Sequence, residues 1–210
     1  MSRKKIKEKN NVLKILYCFF PVFIFYFLDY LSILFIGNTL SNNVTSIYFS
    51  SIKTVYIVKG IIIFPALFLI SIKLYKNPNA KKAVLFIMIS TIIQFILSGI
   101  VYLFINSIFS SFNMEQGAIN YSIYAAKILL ISSSIVCIPT IVATHFLFLK
   151  KFKISILLFL TRQILILFPI IILFHDLWRL KGILFAVPAA DVLSVVICML
   201  IFIFYNKKYL

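Results

Sequence analysis

Long apolar runs, separated by short polar stretches, occupy almost the whole chain. A helix that crosses a hydrocarbon core of about 30 Å needs roughly 20 apolar residues, and each run is about that long or longer. The runs predict six membrane-spanning helices, at about 12–36, 44–74, 83–112, 118–149, 153–174 and 182–205. Between them lie residues that end helices, such as Asn77-Pro78-Asn79 and Gly182. The pattern therefore predicts an all-α membrane protein built as a bundle of six transmembrane helices.

Composition supports the same fold class. Hydrophobic residues make up 63% of the 210 residues, whereas soluble proteins contain about 45–50%. We interpret residues 1–11 as a basic cytoplasmic arm, 12–205 as a single membrane domain and 206–210 as a cytoplasmic tail. The apolar run after the arm is about twice as long as the hydrophobic region of a signal peptide, so we expect it to be retained as the first helix.

The positions of the basic residues predict the orientation in the membrane. The net charge is +16, and Lys and Arg cluster in the arm, after the second and fourth predicted helices, and in the tail. The alternate connections contain few basic residues. Because cytoplasmic loops carry the excess of Lys and Arg, we expect both termini to be cytoplasmic in a multi-pass protein of the plasma (inner) membrane. Basic residues that flank apolar runs in this way indicate topology rather than nucleic-acid binding.

Sequence motifs of catalysis are absent. The chain has no Walker A loop, no His-Glu-x-x-His motif and no paired cluster of Cys and His. Its Asp and Glu residues number 5 in total, and Glu8, Glu115 and Asp176 lie outside the apolar runs. We therefore expect neither an enzyme nor a resident metal or cofactor.

Ionisable side chains inside the predicted helices are the main candidates for function, because such groups are costly in a membrane unless they are paired or hydrated. They are Asp29, Lys53, Lys59, Lys127, Arg162 and Asp191, and Gln94 and Gln163 add polar amides. The two acids, Lys53 and Lys127 lie roughly 10–13 Å below the outer ends of their helices at the usual helical rise. A shared depth is what residues lining one aqueous cavity would have. Pairing in a packed bundle, with no role beyond fixing helix register, is the alternative.

Prolines interrupt most of the predicted helices. They are Pro21, Pro65, Pro139, Pro169 and Pro188. A proline removes one backbone hydrogen bond and clashes with the preceding turn, so we expect kinks, and we single out Pro139, Pro169 and Pro188. Kinked helices suit a transporter that bends during its cycle, although inert kinks in a packed bundle are an equal alternative.

A composite motif runs through the last two predicted helices. It consists of Arg162-Gln163, then Pro169, then Gly182-Ile-Leu-Phe-Ala-Val-Pro-Ala-Ala-Asp191. This motif resembles the end of the multidrug and toxic compound extrusion family, which typically shows an Arg-Gln pair, a proline and Gly-x-x-x-Ala-x-Pro-x-Ala-Asp. The similarity extends from about residue 76 to 205 and includes the connection at 77–83.

The resemblance implies a specific function. Members of that family have two pseudo-symmetric lobes of six helices each, and they export organic compounds in exchange for H+ or Na+ by alternating access. This chain would correspond to the second lobe. Its expected partners are the lipid bilayer, a second six-helix lobe from a homodimer or a separate chain, and a small organic substrate. Asp29 and Asp191 would bind or coordinate the coupling ion, but the stretch 118–149 lacks the acidic residue that some members use.

Two alternatives remain open. The basic residues inside the predicted helices outnumber the acidic ones, and a cavity of that sign attracts anions. This favours a flippase of lipid-linked saccharides from the same superfamily, in which Lys59 and Lys127 would bind the anionic lipid. The other alternative is a non-transporting remnant or accessory subunit.

Overall fold

A computed structural model describes residues 18–24, 27–28, 30–31, 67–76, 78–111 and 116–207. The regular structure in these ranges is helical, without a strand. Helical residues at 18–24, 27–28 and 30–31 are grouped as α1, and those at 67–76 form α2. The following elements are α3 (Ala80–Ser110), α4 (Gln116–Ile131), α5 (Cys137–Phe148), α6 (Phe152–Leu160), a π-helical segment (Thr161–Leu167) and α7 (Phe168–Asn206). The predicted all-α class is confirmed.

Three stretches within the described ranges are long and apolar enough to cross a membrane. They are Ala80–Ser110, Phe152–Arg179 and Lys181–Asn206, each with a mean hydropathy of 2.5. Large apolar side chains cover their outer surfaces; Leu103 and Phe204, for example, are each 78% exposed. A helix that is apolar on all sides is stable in lipid rather than in water. The protein is therefore a membrane-embedded helical protein.

The fourth predicted helix, 118–149, is not continuous. It consists of α4 and α5, which are separated by a turn at 132–136. Ser132-Ser133-Ser134 occupy this turn, and the Ser133 hydroxyl donates a hydrogen bond to the Leu130 carbonyl at 2.6 Å. Serine hydroxyls compete with the helical backbone bonds in this way. The break precedes Pro139, which lies in the first turn of α5, where a proline costs little because its missing N–H has no helical acceptor.

The fifth and sixth predicted helices form one tight hairpin. The fifth continues beyond its predicted end at 174 as far as Arg179, where the backbone leaves the helical region with φ 50° and ψ −128°. Polar residues such as His175 ended the apolar run in the sequence, yet the helix continues through them. A Cβ on Gly182 would lie 1.9 Å from the Phe174 carbonyl oxygen, so only glycine allows the two backbones to approach this closely.

Two clusters of buried apolar side chains fill the interior. The first joins the end of α3, α4, the end of the π-helical segment and the middle of α7, with Leu129 and Leu184 at its centre. The second joins α1, α2, the start of α3, α5, α6 and the end of α7, with Phe146 and Phe202 at its centre. On each long span, the buried residues between the two clusters are polar, and this interval contains the candidate site.

Candidate functional site

Buried polar side chains form a layer between the two apolar clusters. We call this set the polar layer. Its members on α3 are Ser90, Gln94 and the part-buried Ser98; the other spans contribute Ser132, Ser133, Thr161, Arg162, Gln163, Asp191 and Ser194. Buried polar groups are costly unless they are bonded, so these side chains call for hydrogen-bond partners.

Arg162 and Asp191 form an ion pair at the centre of the polar layer. The Arg162 Nε donates to Asp191 Oδ1 at 2.6 Å, and the side chains are only 4% and 1% exposed. The Ser132 hydroxyl donates to the other carboxylate oxygen, Oδ2, at 2.5 Å. Both oxygens of Asp191 are thus bonded to donors from two other spans. Charge-assisted bonds in a region that excludes water are among the stronger interactions a protein can make.

Irregular backbone presents two of the three side chains. Ser132 is the first residue of the break between α4 and α5, and Arg162 is the second residue of the π-helical segment. Pro169 lies two residues after the last residue of this segment and lacks the N–H that would continue a regular hydrogen-bond ladder. π-Helical turns are rare and are frequently found at functional sites.

Pro188 lies three residues before Asp191, inside α7. Because proline has no backbone N–H, the Leu184 carbonyl lacks the hydrogen bond that it would accept in a regular helix. The backbone around it nevertheless keeps helical dihedral angles, because the non-helical residue recorded inside α7 is Arg179. Pro188 is therefore a weak point in a helix that continues through it.

A chain of serine hydroxyls links α3 to the break. Ser98 Oγ and Ser133 Oγ lie 2.5 Å apart, and Ser133 is adjacent to Ser132, which bonds Asp191. Ser194 Oγ donates to the backbone carbonyl of Asp191 at 2.8 Å. These serines were not among the candidates from the sequence, although three consecutive serines within an apolar run were a visible signal.

Several buried polar atoms of α3 and α5 have no hydrogen-bond partner. They are Ser90 Oγ, both amide atoms of Gln94, and Thr140 Oγ1. Thr140 lines a cavity of about 10 Å³ together with Pro139, Arg162 and Gln163, which is room for about one water molecule. Unsatisfied groups of this kind in a native protein call for an explanation such as a water, an ion or a strained functional state.

The remaining candidates from the sequence have different outcomes. Lys127 is half-buried, and its ammonium lies 5.5 Å from the ring centre of Tyr102 in a cation–π contact. Among the described residues, the recorded ion pair of Asp191 is with Arg162 and not with Lys127. Asp29 and Lys59, together with Lys53, lie outside the described residues. Among those that are described, no group of three or more His, Cys, Asp or Glu is placed to hold a metal ion.

Comparisons with known proteins give no match. No model of a known protein family matches the chain, and neither a curated protein nor a solved structure matches it. The resemblance to the multidrug and toxic compound extrusion family thus depends on the residues of the composite motif alone.

Proposed function

We propose that the chain is one six-helix lobe of a secondary transporter of the multidrug and toxic compound extrusion type. It would lie in the plasma membrane with both termini in the cytoplasm and would exchange small organic compounds for H+ or Na+ by alternating access. The observation that carries the proposal is the buried Arg162–Asp191 pair, in which Arg162 comes from the π-helical segment and Asp191 also accepts a hydrogen bond from Ser132 in the break between α4 and α5.

The pair can exist in two states. In one, Asp191 is a carboxylate neutralised by Arg162, as in this structure. In the other, Asp191 binds a proton or Na+, and Arg162 loses its counter-charge. A buried charge without a partner is strongly unfavourable, so cation binding would drive Arg162 towards water or towards another acid. A ligand that binds one conformation better than another shifts the balance between them, which is the requirement for coupling.

The surrounding backbone suits a change of shape. The break at 132–136, the π-helical segment and Pro188 are places where a helix bends at low cost, because hydrogen bonds are already missing or lengthened there. All three lie in the polar layer or within one turn of it. A change in the partner of Asp191 would therefore act directly on the elements that bend.

The residues of the composite motif also form one structural unit. Gly182 closes the hairpin between the last two spans, Pro188 weakens the second of these spans, and Arg162 and Asp191 join them. If the motif matched the family only by chance, its residues would not be expected to lie close together around the Arg162–Asp191 contact. This arrangement supports the family resemblance independently of overall similarity.

An apolar groove formed by the last two spans suits a small organic substrate. It has a volume of about 880 Å³, and its lining includes Phe174 and Trp178 on one side and Phe185, Pro188 and Val192 on the other. Sites for small molecules usually have about 300–1,000 Å³ and a mainly apolar, aromatic lining. A second six-helix lobe, whichever chain supplies it, would close this side from the lipid.

The test is transport of ethidium into proteoliposomes under an imposed pH or Na+ gradient. The chain offers a matched pair of variants, since Asp191 is buried in the ion pair whereas the Asp176 side chain is 75% exposed. We expect Asp191→Asn to abolish gradient-driven transport and Asp176→Asn to leave it unchanged. Equal transport and equal pH dependence in both variants would refute the proposal.

A further inference from the structure

A small cavity lies between α5, α6 and the π-helical segment. Its volume is about 10 Å³, which corresponds to about one water-sized sphere. The polar residues that line it are Thr140, Arg162 and Gln163, and its other lining residues are apolar. Because Arg162 is also the basic partner of Asp191, the cavity and the ion pair share one side chain.

Thr140 is the residue that points to a ligand in this cavity. It is 2% exposed, and its Oγ1 has no hydrogen-bond partner. The other threonine hydroxyls of the described helices each donate to the carbonyl one turn earlier, at 2.7–2.8 Å; they belong to Thr91, Thr144 and Thr161. Thr140 lacks this local bond. A buried hydroxyl without a partner is disfavoured, and a ligand in the cavity would satisfy it.

The chemistry of the lining selects water as that ligand. A hydroxyl both donates and accepts hydrogen bonds, whereas a guanidinium only donates, and its five N–H groups allow it to donate to a ligand as well as to Asp191. The ligand must therefore accept from Arg162 and bond with the hydroxyl of Thr140. A metal cation would be repelled by the guanidinium, and no described residue of the lining carries a carboxylate. A water molecule meets both requirements and fits the volume.

The position of Arg162 gives this water a role in the ion pair. The Arg162 Nε donates to Asp191 Oδ1 at 2.6 Å, and the same residue lines the cavity. When Asp191 binds a cation in the proposed transport cycle, the guanidinium loses its counter-charge, and a buried charge without a partner is strongly unfavourable. A bound water is enthalpically almost as good a partner as a direct hydrogen bond.

We propose that one water molecule occupies this cavity and bridges the Thr140 hydroxyl to the Arg162 guanidinium. When Asp191 binds a cation, the same water is a polar partner already in contact with Arg162. Thr140 is thus a positioning residue, which acts on Arg162 through the water. The role in the cation-bound state rests on the proposed function, whereas the bridge itself does not.

Equilibrium unfolding of the detergent-solubilised protein tests the bridge, because valine has the shape of threonine without the hydroxyl. Thr144→Val is the matched control for Thr140→Val, since Thr144 is equally buried but bonds a carbonyl within α5. We expect Thr140→Val to raise the unfolding equilibrium constant about tenfold, the loss of one interior hydrogen bond. A dry cavity predicts the opposite sign, because removing an unpartnered buried hydroxyl is stabilising. An unchanged or smaller constant therefore overturns the proposal.

The same measurement in the Asp191→Asn background tests the role of the water. Asparagine has the shape of aspartate without its charge, so this variant imitates the cation-bound state. Arg162 depends more on the water there, and we expect Thr140→Val to raise the unfolding constant about a hundredfold. Thr144→Val should have the same effect in both backgrounds. Equal effects of Thr140→Val in the two backgrounds would overturn this role.

A crystal structure of the wild-type protein decides the question if Asp191→Asn does not fold. Ordered density within hydrogen-bond distance of both Thr140 Oγ1 and the Arg162 guanidinium supports the bridge, and an empty cavity overturns it. Ethidium transport separates this proposal from the proposed function. A wild-type protein that does not transport, but is destabilised by Thr140→Val, has the water site without the transport function.

Discussion

Arg162 and Asp191 neutralise each other inside the membrane-embedded part of the chain, with 2.6 Å between Nε and Oδ1 and a sequence separation of 29 residues. Each is the counter-charge of the other in a region from which water is excluded. Removing one partner of a buried pair typically costs about 3–5 kcal/mol, whereas replacing both with apolar residues is often neutral or stabilising. The stability of the fold and the function of the pair can therefore be separated by mutation.

The first prediction follows from this asymmetry. We expect Arg162→Met and Asp191→Leu each to lower the free energy of unfolding by about 3–5 kcal/mol, and the double variant to recover most of that loss. Denaturation in mixed detergent micelles measures all three. Additive losses in the double variant would mean that the two residues act independently and that the pair is not a unit.

Ser132 provides the second prediction, because its hydroxyl bonds the carboxylate while that of Ser194 bonds only the backbone carbonyl of Asp191. Ser132→Ala leaves one carboxylate oxygen without its donor, which should cost about 1–3 kcal/mol of unfolding free energy. Ser194→Ala should cost less, since it removes a local bond within α7. Equal losses in the same denaturation experiment would contradict a specific role for Ser132.

Gly182 provides the third prediction. A Cβ at Gly182 would lie 1.9 Å from the Phe174 carbonyl oxygen, whereas one at Gly99 would meet nothing within 4 Å. We expect Gly182→Ala to force the last hairpin open and lower the thermal midpoint. Gly99→Ala lies within α3 and should raise stability by about 0.5–1 kcal/mol through helix propensity. A tolerated alanine at position 182 would show that the two backbones do not approach as described.

Much of the coarse fold could be predicted from the sequence. The apolar runs predicted helices, and α3 and the last two spans appear close to their predicted positions. Asp191 and Arg162 were both candidates, because a charged residue within an apolar run can be recognised from the sequence alone. Their direct contact was not predicted, since the sequence gives neither the rotation of each helix nor the π-helical turn that presents Arg162.

The break in the fourth span was missed for a physical reason. A hydropathy pattern reports the burial of side chains, and 118–149 is apolar from end to end. It does not report the competition of consecutive serine hydroxyls with the helical backbone. Pro139 lies in the first turn of α5, where a proline is compatible with a helix start, so the serines before it and not the proline coincide with the break.

The prolines provide the fourth prediction. Pro188 lies inside α7, so Pro188→Ala restores a hydrogen bond to the Leu184 carbonyl and should stabilise the helix. The same change should slow ethidium transport, because it stiffens the span that carries Asp191. Pro139→Ala changes a first-turn position and should affect neither quantity much. Paired measurements of thermal midpoint and transport rate test this, and a faster Pro188→Ala variant would contradict it.

The most direct test of the central claim is the state of the Asp191 carboxylate itself. Infrared difference spectroscopy of protein labelled with ¹³C-aspartate, recorded on acidification and on addition of Na+, reports proton or cation binding to aspartate side chains. We expect a carboxylate band that changes with one of these cations in the wild-type protein and in Asp176→Asn, and that is missing in Asp191→Asn. An unchanged aspartate spectrum, or the same change in Asp191→Asn, would contradict a role for Asp191 in coupling.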